Sequence, residues 1–177
     1  GMVFLSLPKG ELFHWEGVQF FFLGAAFLLL EVKNITSLAL VYGSTWMVTS
    51  VVIVMVLIMV LMANAVVERW GTRLNEIVIW SLLFVSIALS MLWREKFIPG
   101  GPVVSGLVIT VVISLTFLFS GIVFANAFSR TPVPSIALGF NVLGSVVGGL
   151  TEYMSLVVGI SGLLWIAIAF YVAALAS

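Results

Sequence analysis

The sequence predicts an all-α fold, an integral membrane bundle of six transmembrane helices, on three observations. Of 177 residues, 63% are hydrophobic and 8% charged, and mean hydropathy is +1.31. A water-soluble domain carries about 25% charged residues, so most of this surface meets something other than water. The apolar residues also fall in runs close to the roughly 20 needed to cross a bilayer core of about 30 Å. Short polar breaks separate the runs.

Taken in order, the first span covers about 18–42 and closes at "GST" (43–45), a tight reversal; the second covers 46–67. "ERWGTRLNE" (68–76) is the first strongly polar connection, and a third span occupies 77–93. "REKFIPGGP" (94–102) breaks the chain, with "GGP" read as a turn, before a fourth span over 103–128. "SRTPVP" (129–134) cannot continue a helix, because two prolines remove donors and clash with the preceding turn. The fifth span takes 135–158, "GISG" breaks it, and the sixth takes 161–176. Trp15, Trp46, Trp70, Trp80 and Trp93 stand near span ends, where an amphipathic ring suits the headgroup layer. Gly1 ahead of Met2 reads as a tag scar or as the cut edge of a longer chain, and the apolar C-terminus without a polar tail reads as one piece of a longer protein.

Orientation follows from lysine and arginine in the short loops. With six spans, Lys9, Arg69, Arg73 and Arg130 share one side, and Arg94 and Lys96 the other. The positive-inside rule then predicts a multi-pass protein of the cell membrane with both termini cytoplasmic.

Ionisable groups inside spans are costly and face protein or a wet cavity. Glu31 lies half-way along the first span, with Lys33 and Asn34 beside it. At about 100° per residue, Asn34 shares the broad face of Glu31, whereas Lys33 points about 160° away and cannot pair with it. In the fifth span Asn141, Gly144, Ser145, Gly148, Glu152 and Ser155 form one stripe. Gly144 and Gly148 make a G-x-x-x-G, which lets another helix backbone approach closely. Two readings stay open. Glu31, Lys33, Asn34, Asn141 and Glu152 line a cavity for a polar or cationic solute or for protons, or Glu31 and Lys33 hydrogen-bond across neighbouring helices and fix the bundle. Asn64 and Asn126, near cytoplasmic ends, read as interfacial or capping residues.

Several function classes drop out. Net charge is zero, so there is no basic field to recruit nucleic acid. There is no cysteine and no aspartate, and the one histidine, His14, beside Trp15 and Glu16, makes no metal site. No Ser/His/Asp set, no G-x-G-x-x-G and no paired catalytic carboxylates occur. The segment is read as free of catalytic residues and of cofactors.

"ERWGTR" (68–73) is similar to the major facilitator signature, with Glu68, Arg69, Gly71 and Arg73 matching in type and topological place. The signature's leading glycine corresponds to Asn64 and its usual second basic residue to Thr72. That resemblance implies one six-helix half of a facilitator-like fold, completed by a second unit or as a homodimer. "FFLGAAFLLLEVKNITSLALVYGSTWMVTSVV" with "ANAVVERW", and "ALGFNVLGSVVGGLTEYMSLVVGISGLL" near the other end, resemble the membrane region of multi-spanning spermidine synthase-like proteins. This second resemblance covers nearly the whole chain. It implies a soluble aminopropyltransferase-like partner domain and a polyamine-like substrate that Glu31 and Glu152 would meet.

Overall fold

The computed structural model describes residues 15–43, 46–71, 75–92 and 101–177. They form helices α1 (Trp15–Tyr42), α2 (Trp46–Trp70), α3 (Glu76–Leu92), α4 (Gly101–Phe128), α5 (Pro134–Thr151) and α6 (Ser155–Ala176). A single 3₁₀ turn, Glu152–Met154, links the last two. No strand occurs among the described residues.

The helix ends follow local chemistry and correct several sequence-based boundaries. α2 runs to Trp70, so Glu68 and Arg69 sit on its last turn rather than in a loop. α3 starts where the Asn75 side chain accepts the Ile77 N–H at 2.9 Å, satisfying an orphan donor of the first turn. Gly101 and Pro102 open α4 instead of forming a turn, since proline is tolerated in a first helical turn, where N–H groups lack partners anyway. Pro134 begins α5 for the same reason.

Side-chain contacts fix the direction of each helix. Along α1 and α5 the partners rise together: Gly17 meets Phe140, Phe21 meets Gly144 and Ala25 meets Gly148, so the two run parallel. Against α6 the numbers oppose, with Gln19 bonded to the Ala174 carbonyl and Phe22 on Phe170. α4 also opposes α1, through Phe20–Phe124 and Phe27–Phe117, each with ring centroids 5.6 Å apart. α2 parallels α4, since Met55 meets Ser114 and Ala63 meets Gly121. α3 starts where α4 and α6 finish, with Glu76 paired to Arg130 and Trp80 against Tyr171. Successive helices therefore alternate in direction.

The chain reverses at Gly159, inside the range of α6, so that residues 155–158 extend the α5 arm and residues 160–176 form the returning arm. The Gly159 backbone sits at φ 73° and ψ 166°, a region open to glycine and strained for any residue with a Cβ. α1 is central, packing on α5, α6, α2 and α4. Phe20, Leu23, Ala26, Leu29 and Leu30 of α1 are buried with Phe117, Leu163, Ala167 and Tyr171. Trp80, expected at an interface, belongs to this core, stacked on Phe84 and edge-on to Tyr171. By contrast Trp46 and Trp70 are exposed.

The outside is apolar. Leu57, Ile58 and Leu61 of α2, Val142, Leu143, Val146 and Leu150 of α5, and Leu156 and Val157 of α6 are all exposed. Contiguous apolar surface of this kind is rare on a water-soluble monomer. Among the described residues, three helical stretches are long and apolar enough to cross a membrane: Gly17–Thr36, Thr49–Trp70 and Pro134–Ala176. The expectation of six separate spans is not met on that criterion. α3 is short at 17 residues, and helical turns run on from α5 until the reversal at Gly159, so that by this measure Pro134–Ala176 counts once.

Candidate functional site

Two polar regions emerge, at different levels of the bundle. The first is the seam between α1 and α5. A Cβ added at Gly144 would overlap the backbone of Phe21, and one at Gly148 the backbone of Ala25. Gly24 answers from α1, pressed on the Asn141 carbonyl. The close approach lets polar groups bridge the backbones. The Asn141 amide donates to the Phe20 carbonyl at 3.4 Å, and the Ser145 hydroxyl lies 3.4 Å from the Gly24 carbonyl and 3.0 Å from that of Asn141. Farther along, the 3₁₀ turn that carries Glu152 touches α1.

Glu31 and Lys33 are partly buried on α1, and Asn34 is buried. Lys33 donates to the Asn34 side chain at 3.4 Å, so the amine finds a neighbour on its own helix. The structure thus places Asn141 in the packing seam, Lys33 with Asn34, and the Glu152 turn on the helix that carries Glu31. None of these five residues lines the cavity described next.

That second region lies where α1 begins and α4 and α6 end. A cavity of about 260 Å³ opens there, lined by Gln19 and Phe20 of α1, Glu76, Ile79 and Trp80 of α3, Val123, Asn126 and Ala127 of α4, and Arg130 and Thr131 after it. The backbone turn after α4, in which Arg130 N–H bonds to the Ala127 carbonyl at 3.1 Å, aims the guanidinium back across the opening. Arg130 pairs with Glu76 through Nη1 and donates from Nη2 to Asn126 Oδ1 at 3.3 Å. The pair is about half exposed, at 52% and 55%, so solvent screens it, and such a pair contributes about 0–1 kcal/mol. Its consequence is positional: it ties α3 to the α4–α5 connection at the cavity mouth. Below the mouth, Trp80 covers Tyr171, whose hydroxyl bonds to Ser120 at 2.6 Å.

Sequence reading misses this cavity. Asn126, expected as an interfacial or capping residue, is buried and bonded to Arg130. A signal was present: Gln19, Glu76, Asn126 and Arg130 are polar residues at ends that an alternating bundle gathers on one side. Of the loop motif, Glu68 and Arg69 are exposed at the end of α2, with the Arg69 guanidinium 5.6 Å from the Trp70 ring. Gly71 follows on, and Arg73 lies outside the described residues, as does His14. Among the described residues no cluster of three or more His, Cys, Asp or Glu side chains is placed to hold a metal. Set beside protein-family models, curated proteins and solved structures, the chain matches none of them.

Proposed function

We propose that this chain is the membrane-embedded, non-catalytic domain of a spermidine synthase-like protein. It anchors that protein with six spans and both termini in the cytoplasm, and it holds a polyamine-like cation. The observation that carries the reading is the alternation of helix direction under an apolar exterior. Each helix satisfies its own backbone groups internally, and an up-and-down bundle with apolar sides lets consecutive helices cross a bilayer through short connections. The 17 residues of α3 reach the lower end of the spanning range of about 17–25. The turn at Gly159 divides the 43-residue stretch Pro134–Ala176 into two opposed arms. Glu152 sits in a turn that touches α1, the helix of Glu31, and these two acids supply the negative charge for an amine.

The second reading, six helices as one half of a facilitator-like transporter, draws on Glu68, Arg69 and Gly71 at the end of α2. Radiolabelled spermidine separates the two when the chain is reconstituted in liposomes. The proposal expects saturable binding without accumulation, weakened about tenfold, or 1.4 kcal/mol, in Glu31→Gln and Glu152→Gln. Time-dependent uptake would favour the transporter, and binding unaltered by both substitutions would overturn the role given to the two acids.

A further inference from the structure

The cavity at the start of α1 is separate from those acids and calls for a different ligand. We propose that it is a binding site for a small zwitterion, a molecule that carries an ammonium and an acid group a few ångströms apart. At about 260 Å³ it lies below the roughly 300–1,000 Å³ of pockets for drug-sized ligands, so the occupant is small.

The lining sets its charge. Glu76 gives one carboxylate oxygen to Arg130 and keeps the second as an acceptor; Gln19 donates one of its two amide N–H groups to the Ala174 carbonyl at 3.2 Å and keeps its amide oxygen as an acceptor. Two acceptors therefore stand on the α1–α3 side. On the α4 side Arg130 is a fork of donors, and Asn126, its oxygen taken by Arg130, presents its amide N–H groups. A lone anion would engage the Arg130 side of the lining and make no use of the Glu76 side. A lone cation would do the reverse. A zwitterion exchanges the Glu76–Arg130 pair for two new ones and leaves the site neutral, with the acid group on the guanidinium fork and the ammonium on Glu76 and Gln19. Phe20, Trp80 and Val123 give the rest of the ligand an apolar wall.

Free α-amino acids and the headgroup of phosphatidylethanolamine share this chemistry, and the experiment separates them. The full chain is placed in phosphatidylcholine nanodiscs, and its melting temperature is followed with glycine, L-serine or L-phenylalanine, and with acetate and ethylamine as half-molecules. In a second arm phosphatidylethanolamine is compared with phosphatidylglycerol at equal mole fraction. A saturable rise of about 4 °C or more at a hundredfold excess over Kd in the first arm assigns the site to a free zwitterion. A rise with phosphatidylethanolamine alone assigns it to the lipid. Either rise is expected to vanish in Glu76→Gln and in Arg130→Gln. It is also expected to vanish in Ala127→Trp, which adds bulk at a lining position and retains both charged residues, so that a folding defect in the charge variants does not decide the matter. Equal stabilisation by the half-molecules, or no difference between the parent and Ala127→Trp in either arm, would overturn the proposal. Neither arm uses a polyamine, so its failure is distinct from failure of the function proposed above.

Discussion

Tyr171→Ala is expected to destabilise the bundle by about 3–5 kcal/mol, the range for removing a large aromatic side chain from a packed core. Tyr171 is fully buried at the junction of α3, α4 and α6, with its ring against Trp80 and its hydroxyl on Ser120. Tyr171→Phe separates packing from hydrogen bonding, because it keeps the ring and deletes only the bond. Its cost is set by what becomes of the hydroxyl of Ser120, a residue only 2% exposed. A serine inside a helix can turn back to the carbonyl one turn earlier, so the loss is limited to about 1 kcal/mol. Ser120→Ala made in the Tyr171→Phe background is then expected to cost less than in the parent. Reversible unfolding in mixed micelles measures all four variants. Equal stability of the parent and Tyr171→Ala would show that this junction is not packed.

Gly144→Leu is expected to cost about 3 kcal/mol, the upper part of the range for overpacking. The obstacle is the Phe21 backbone rather than a side chain, so no rotamer change relieves it and α1 and α5 must separate. Separation would also break the Asn141 and Ser145 contacts across the seam. Gly139→Leu is the control on the same helix. Nothing lies within 4 Å of an added Cβ at Gly139, and its stability is expected to stay within about 1 kcal/mol of the parent. The same unfolding assay gives both values, and equal losses at the two glycines would show that the seam is not closely packed.

The contrast between seam and cavity shows what a sequence of this kind reveals. Gly144 and Gly148 are four residues apart on one helix, and Asn141 and Ser145 share their stripe, so the local period alone marks a packing face. The break at "GISG" is legible for a similar reason, since it rests on the conformation of one residue, Gly159. The cavity has no such period. Gln19, Glu76, Asn126 and Arg130 lie on different elements and come together only because the helices alternate in direction. Trp80 misleads for a related reason. Its place near the start of α3 fits an interfacial ring, yet α4 and α6 close over that end and bury it. Glu31 and Lys33 stand out in sequence because charge is rare inside apolar runs. Rarity marks a residue without naming its neighbours, and Lys33 meets Asn34 beside it rather than a group across the bundle.

In the proposed arrangement α5 and α6 are opposed arms which, with the four helices before them, cross the membrane in alternating directions. The chain has no cysteine, so a single cysteine at Ser44, Ser129, Ser161 or Ser177 reports its own side of the membrane to an impermeant maleimide in intact cells and in inverted vesicles. Ser129 is exposed just past the end of α4, and Ser177 follows α6 at the same end of the bundle. Alternation predicts that Ser129→Cys and Ser177→Cys react only from the cytoplasmic face, and Ser44→Cys and Ser161→Cys only from the other. Labelling of Ser129→Cys and Ser161→Cys from one and the same face would contradict it.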